Sequence, residues 1–130
     1  MQDSPSPDAL LTAVAAFLRD QAMPQLQAQT AFHARVAANA LDIVRRQLAL
    51  AGTAEADERL RLRELLQADG SLSELNALLC QHIARGDLGL QTPALLRHLW
   101  RVTLDKLAVD QPGYDSVRRQ ATAADVRPAP

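Results

Sequence analysis

The sequence predicts an all-α protein, a single-domain up-down bundle of about five helices. Three observations carry this. Leucine and alanine dominate an apolar fraction of 48 %, and the chain has one Trp, one Tyr and two Phe. Valine and isoleucine do not alternate with polar residues as they would in half-buried strands. Apolar residues instead recur every three or four positions in five stretches, with mostly short Gly- or Pro-bearing breaks that suit antiparallel neighbours. A length of 130 residues fits one domain of roughly 100–150. The bundle is expected over residues 7–113, with mobile ends at 1–6 and 114–130.

Each element has its own signals. Ser6 suits an N-cap, Pro7 the first helical position, and Asp8 the first turn. Leu10, Leu11, Val14, Phe17 and Leu18 then keep helical spacing, and Pro24 should end this helix near Ala22. The second helix is expected from Gln29 or Thr30 until just before Gly52, a natural C-terminal glycine. Thr53 can cap a third helix, with Glu55, Asp57 and Glu58 in its first turn and Leu60, Leu62, Leu65 and Leu66 on its buried side. Gly70 should close it. Ser71 and Glu74 have capping-box spacing and open the fourth helix. Its stripe is Leu72, Leu75, Leu79 and Ile83, and Gly86 ends it. Thr92 and Pro93 open the fifth, with Leu95, Leu96, Leu99, Trp100, Val102, Thr103 and Leu107 as its apolar side. Pro112 and Gly113 stop it.

Composition excludes several roles. Fourteen basic and fifteen acidic residues give a net charge of −1, so no global field draws in nucleic acid or an anionic membrane. No apolar run approaches the roughly 20 residues of a membrane span. The single Cys80 permits no internal disulfide and suits a reducing compartment, so a cytoplasmic protein is expected. One Cys and three His provide no tetrahedral zinc set, and Cys80 and His82 diverge on a helix. No phosphate-cradling glycine loop or nucleophile elbow occurs. No catalytic residue, metal or cofactor is expected.

Two patterns do not fit a plain bundle. On a wheel of the second helix, Phe32, Val36, Ala37, Ala40, Leu41, Ile43, Val44 and Leu48 form an apolar arc, and His33 falls near its middle. It is therefore expected to be buried. Arg35, Asn39, Asp42 and Arg46, at i, i+4, i+7 and i+11, make a polar stripe beside that arc. On the fifth helix Lys106 and Asp110 land on the apolar side, one turn apart. Buried charges need partners, and up-down topology puts the start of helix two and the end of helix five at one end. His33, Lys106 and Asp110 thus form a candidate polar cluster that could titrate near neutrality. The plainer reading keeps His33 as a satisfied core residue and lets Lys106 snorkel to solvent. The stripe is either a solvated face with i,i+4 pairing or a candidate partner-binding ridge.

The segments "FHARVAANALDIVRRQL", "LNALLCQHI" and "LDKLAVDQPGY" resemble an uncharacterised bacterial family of small helical proteins of unknown function, over roughly residues 8–114. The resemblance implies a context, since members of that family tend to be encoded beside aminoglycoside-phosphotransferase-like kinases and acyl-CoA dehydrogenases. It supplies no catalytic residues. The expected function is a non-catalytic accessory protein that binds a protein partner of the kinase-like or acyl-CoA dehydrogenase-like kind. A homo-oligomer is also compatible with the sequence. The alternative is a small enzyme or ligand binder, with Lys106 as anion anchor and His33 as acid or base.

Overall fold

A computed structural model of the chain describes residues 4–114. Among them are four α-helices and no strand: α1 Pro7–Phe17, α2 Ala28–Leu66, α3 Leu72–Arg85 and α4 Pro93–Asp110. A π-helical turn, Leu18–Ala22, and a 3-10 turn, Met23–Gln25, follow α1. The chain divides into two compact units, Met1–Ala49 and Leu50–Pro130. Residues 1–3 and 115–130, which hold most of the expected mobile ends, lie outside the described residues.

The all-helical class is as expected, but the described residues form four α-helices. The expected stop at Gly52 and the cap at Thr53 do not occur, and α2 continues through both. A glycine inside a helix costs only about 1 kcal/mol relative to alanine. Ala49, Ala51 and Ala54 around it are strong helix formers, and no proline forces a break. A Cβ built on Gly52 would meet nothing within 4 Å. Gly52→Ala is therefore expected to stabilise the protein by about 0.5–1 kcal/mol, read as a higher urea midpoint at unchanged slope. A lower midpoint would mean that the helix needs its glycine.

The other boundary signals act as the residues require. The Ala9 amide donates to Ser6 Oγ at the start of α1, with Pro7 at the first position. The Glu74 amide donates to Ser71 Oγ, and the Ser71 amide donates back to the Glu74 carboxylate at 2.8 Å, completing the capping box of α3. Gly86 ends α3 in the left-handed region at φ 80°. α2 ends differently from expectation. Gln67, not Gly70, takes the left-handed position at φ 51°, and its side-chain amide donates to the Glu64 carbonyl at 2.8 Å. That bond satisfies one of the orphaned terminal carbonyls.

The first unit is held by small residues. Ala15 of α1 and Ala34 and Ala38 of α2 are its buried residues. Alanines let two helix backbones approach closely. The approach is fixed by ion pairs from α1 and the π turn to α2, Asp8 to Arg45 and Arg19 to Asp42. The expected phase of this half of α2 is therefore overturned. Ala34, Ala38, Leu41 and Arg45 share the inward side, and most of the expected core arc points outward. Phe32 is 60 % exposed and Leu48 62 %, with Val36 and Val44 exposed between them. Leu10, Val14 and Phe17 of α1 are exposed as well.

The second unit has the leucine core. Leu62 of α2, Leu75 and Leu79 of α3 and Leu95 of α4 are buried together, with Leu65, Leu66, Ala68, Leu72 and Leu88 packed against them. The inward side of α4 keeps only part of the expected stripe, namely Leu95, Val102 and Leu107. Leu95, His98, Val102, Asp105 and Val109 share one face, all buried or half-buried, whereas Leu96, Leu99, Trp100 and Thr103 are exposed.

Candidate functional site

The polar stripe of α2 is only partly available. Arg35 is exposed and makes no ion pair among the described residues. Asn39 is exposed, but its side-chain oxygen accepts from Arg19 at 3.1 Å. The same guanidinium bonds Asp42, and Arg45 lies 3.5 Å from the other Asp42 oxygen. The Arg19 hydrogen bond, helped by the charges of Arg19, Arg45 and Arg46, holds the Asp42 carboxyl below its usual range. Two members of the stripe are thus committed to the π turn, whose irregular backbone presents Arg19. Arg46 is half-buried.

His33, Lys106 and Asp110 are all exposed. The expectation of a buried His33 fails because the phase of α2 is set by Ala34 and Ala38. Its ring meets Phe32 edge-on, with centroids 5.7 Å apart. Lys106 and Asp110 miss the inward face of α4.

The buried polar side chain is a different one. His98 of α4 is 3 % exposed. Among the described residues its Nδ1 has no hydrogen-bond partner, and neither does the buried Nε of Arg61 on α2. Burial first, and then the Arg61 charge, push the His98 imidazole below its ordinary value, with Glu58 opposing. The ring is therefore neutral at pH 7. Beside it lies a cavity of about 180 Å³ lined by Arg61, Glu64, Leu65, Ala94, Arg97 and His98. Arg61 reaches Asp105 at 3.4 Å, and Arg101 shares that carboxylate at 3.3 Å. Glu58 accepts from Asn76 of α3 at 2.9 Å.

Nothing in the immediate sequence, Arg97-His98-Leu99, marks His98 as a buried residue. A signal was present in the spacing. Leu95, His98 and Val102, at i, i+3 and i+7, form an inward stripe of their own. A buried, unpartnered polar atom in a native fold calls for an explanation, and here it adjoins a cavity with two further guanidinium groups. The arrangement offers cationic donors against two apolar side chains, Leu65 and Ala94.

Other polar groups have simpler assignments. His82 Nδ1 pairs with Asp87 at 3.1 Å, and Cys80 is exposed and free. Among the described residues no group of three or more His, Cys, Asp or Glu is placed to hold a metal ion. No helix among them is long and apolar enough to cross a membrane.

No curated protein and no solved structure matches the chain. Residues 24–114 match a family described as a domain of unknown function (DUF6285). That segment begins in the 3-10 turn and takes in α2, α3 and α4, so it contains the α2 stripe and the whole lining of the His98 cavity, while Arg19 and Asp8 fall outside it. With most of its length matched, the chain belongs to the DUF6285 family.

Proposed function

We propose that this is a non-catalytic helical accessory protein that works by binding a protein partner on the outward face of the first half of α2. One observation carries the reading. Phe32, Val36, Val44 and Leu48 make an apolar arc along more than four turns of helix, and all four are exposed. Scattered surface leucines need no explanation, but a continuous apolar stripe on a soluble surface marks an interaction site. Arg35 flanks the arc and makes no ion pair among the described residues, and a guanidinium of this kind grips a carboxylate bidentately. The occupant this chemistry fits is a protein segment with an apolar stripe and an acidic residue opposite Arg35, docked as a helix in a groove would be. Asn39 and Arg46 complete the polar rim. In keeping with the family resemblance, the partner is a kinase-like or acyl-CoA-processing protein, and the setting is the bacterial cytoplasm.

The test is co-expression with each of those two kinds of protein from the same genome, followed by co-purification and gel filtration. The wild type is expected to form a stable heterocomplex. Phe32→Glu with Val36→Glu should leave the monomer folded, since exposed changes usually cost within about ±0.5 kcal/mol each. The same pair should weaken binding by about tenfold or more, because it removes two apolar anchors. Arg35→Glu should weaken it independently. A complex that survives all three substitutions, or a chain that only self-associates through this arc, would overturn the reading.

A further inference from the structure

We propose that the cavity beside His98 binds a small monocarboxylate, held by Arg61 and Arg97 with its apolar stem on Leu65 and Ala94. His98 is buried, and its Nδ1 and the Arg61 Nε both lack partners among the described residues. Leaving buried polar atoms unpaired costs free energy, and folds retain that cost where a site needs the groups. Arg97 lines the same cavity from the next position on α4 and makes no ion pair among the described residues.

The start of α4 adds a second attraction for an anion. Thr92 occupies the N-cap but makes no side-chain capping bond. Its hydroxyl accepts from the Gly89 amide instead. The first turn of α4 therefore keeps amides free of side-chain capping beside Ala94, which lines the cavity. Helix N-termini favour negative charge for this reason.

Size and charge narrow the ligand. About 180 Å³ accommodates a short organic acid. Arg61 and Glu58 of α2 act on the ring through their charges, Glu64 and Arg97 line the cavity beside it, and Asp105 of α4 bridges Arg61 and Arg101. Asn76 of α3 holds Glu58. Three guanidinium groups face three carboxylates, so the set is balanced while the imidazole is neutral. One bound monoanion then calls for one added proton, and His98 is the group able to take it. A dianion would leave a charge unmatched. Binding is therefore expected to be coupled to proton uptake at His98 and to be stronger on the acid side of neutrality.

The full chain, with its imidazoles followed by NMR, tests this with sodium butyrate as probe and inorganic phosphate as comparison. Butyrate should shift the His98 ring signals saturably, while His33 and His82 serve as internal controls and stay in place. The affinity should be higher at about pH 6 than at about pH 8, on either side of the ordinary imidazole range. Arg97→Gln changes an exposed residue, so the fold should persist, and butyrate affinity should fall about tenfold or more through the lost charge-assisted bonds. His98→Gln should abolish the pH dependence. Absence of a saturable shift, equal movement of all three histidines, or binding untouched by Arg97→Gln would overturn the proposal. Phosphate binding as tightly as butyrate would overturn the assignment to a carboxylate.

Discussion

Leu62→Ala is expected to destabilise the protein by about 2–5 kcal/mol, the range for deleting a fully buried leucine side chain. Leu62 is 0 % exposed, and three other buried leucines, Leu75, Leu79 and Leu95, surround it. It is the residue through which α2 enters the second unit's core, where α3 and α4 supply the other three. Truncation removes apolar contact and leaves a cavity that helices tethered by short connections cannot fully close. The loss would take a large share of the roughly 5–15 kcal/mol that keeps most domains folded. Urea unfolding followed by circular dichroism should show a much lower midpoint. Leu60→Ala, two residues earlier and 54 % exposed, is the matched control and should shift the midpoint little. Equal effects from the two substitutions would mean that the second unit is not organised around Leu62.

That contrast also shows which parts of the fold can be read from residues alone. The capping box at Ser71 and Glu74, the Ser6 cap, the Thr92–Pro93 start and the left-handed Gly86 are local devices. Their chemistry is complete within a few residues, so the sequence displays them fully. The leucines of α3 behave likewise, since Leu75 and Leu79 are the largest side chains on their face. Gly52 misled because a helix end is a balance of small terms. One unfavourable glycine among alanines does not outweigh continued hydrogen bonding.

The phase of α2 was hidden for a different reason. Hydrophobicity ranks Phe32, Val36 and Leu48 above Ala34 and Ala38, and a wheel weighted that way turns the large residues inward. Close approach of α1 selects the small residues instead, and Arg19 and Asp8 secure that choice through Asp42 and Arg45. Those partners lie more than 20 positions away, and one of them is presented by a π turn that no periodicity announces. The stripe at Arg35, Asn39, Asp42 and Arg46 was legible as a stripe. That Arg19 would occupy two of its members was not. The same error of phase placed His33 inside. On α4 the exposed Leu96, Leu99 and Trp100 outweighed the quieter spacing of Leu95, His98 and Val102, and the buried histidine was missed.

His98→Leu is expected to stabilise the protein, by about 1–2 kcal/mol near neutral pH, since a buried polar atom without a partner costs about that much. Leucine has a similar bulk, and the buried Leu95 one turn away offers it apolar company. Substitutions that raise stability at a polar position are the mark of a residue kept for something other than folding. The pH dependence sharpens the test. The folded-state pKa of His98 is lowered, mainly by burial, so below about pH 6.5 the unfolded chain takes up a proton that the native state refuses. Proton binding then favours unfolding, and the wild type loses stability as pH falls from the unfolded pKa towards the folded one. Leucine has no proton to bind. The gap between variant and wild type should therefore widen on acidification through this window and level off below the folded pKa. Urea midpoints of the two proteins at a series of pH values measure that gap directly. A variant less stable than wild type throughout would show that the imidazole makes bonds that hold the fold. A gap that does not change with pH would show that His98 titrates alike in both states, and its burial would then carry no electrostatic cost for a bound anion to relieve.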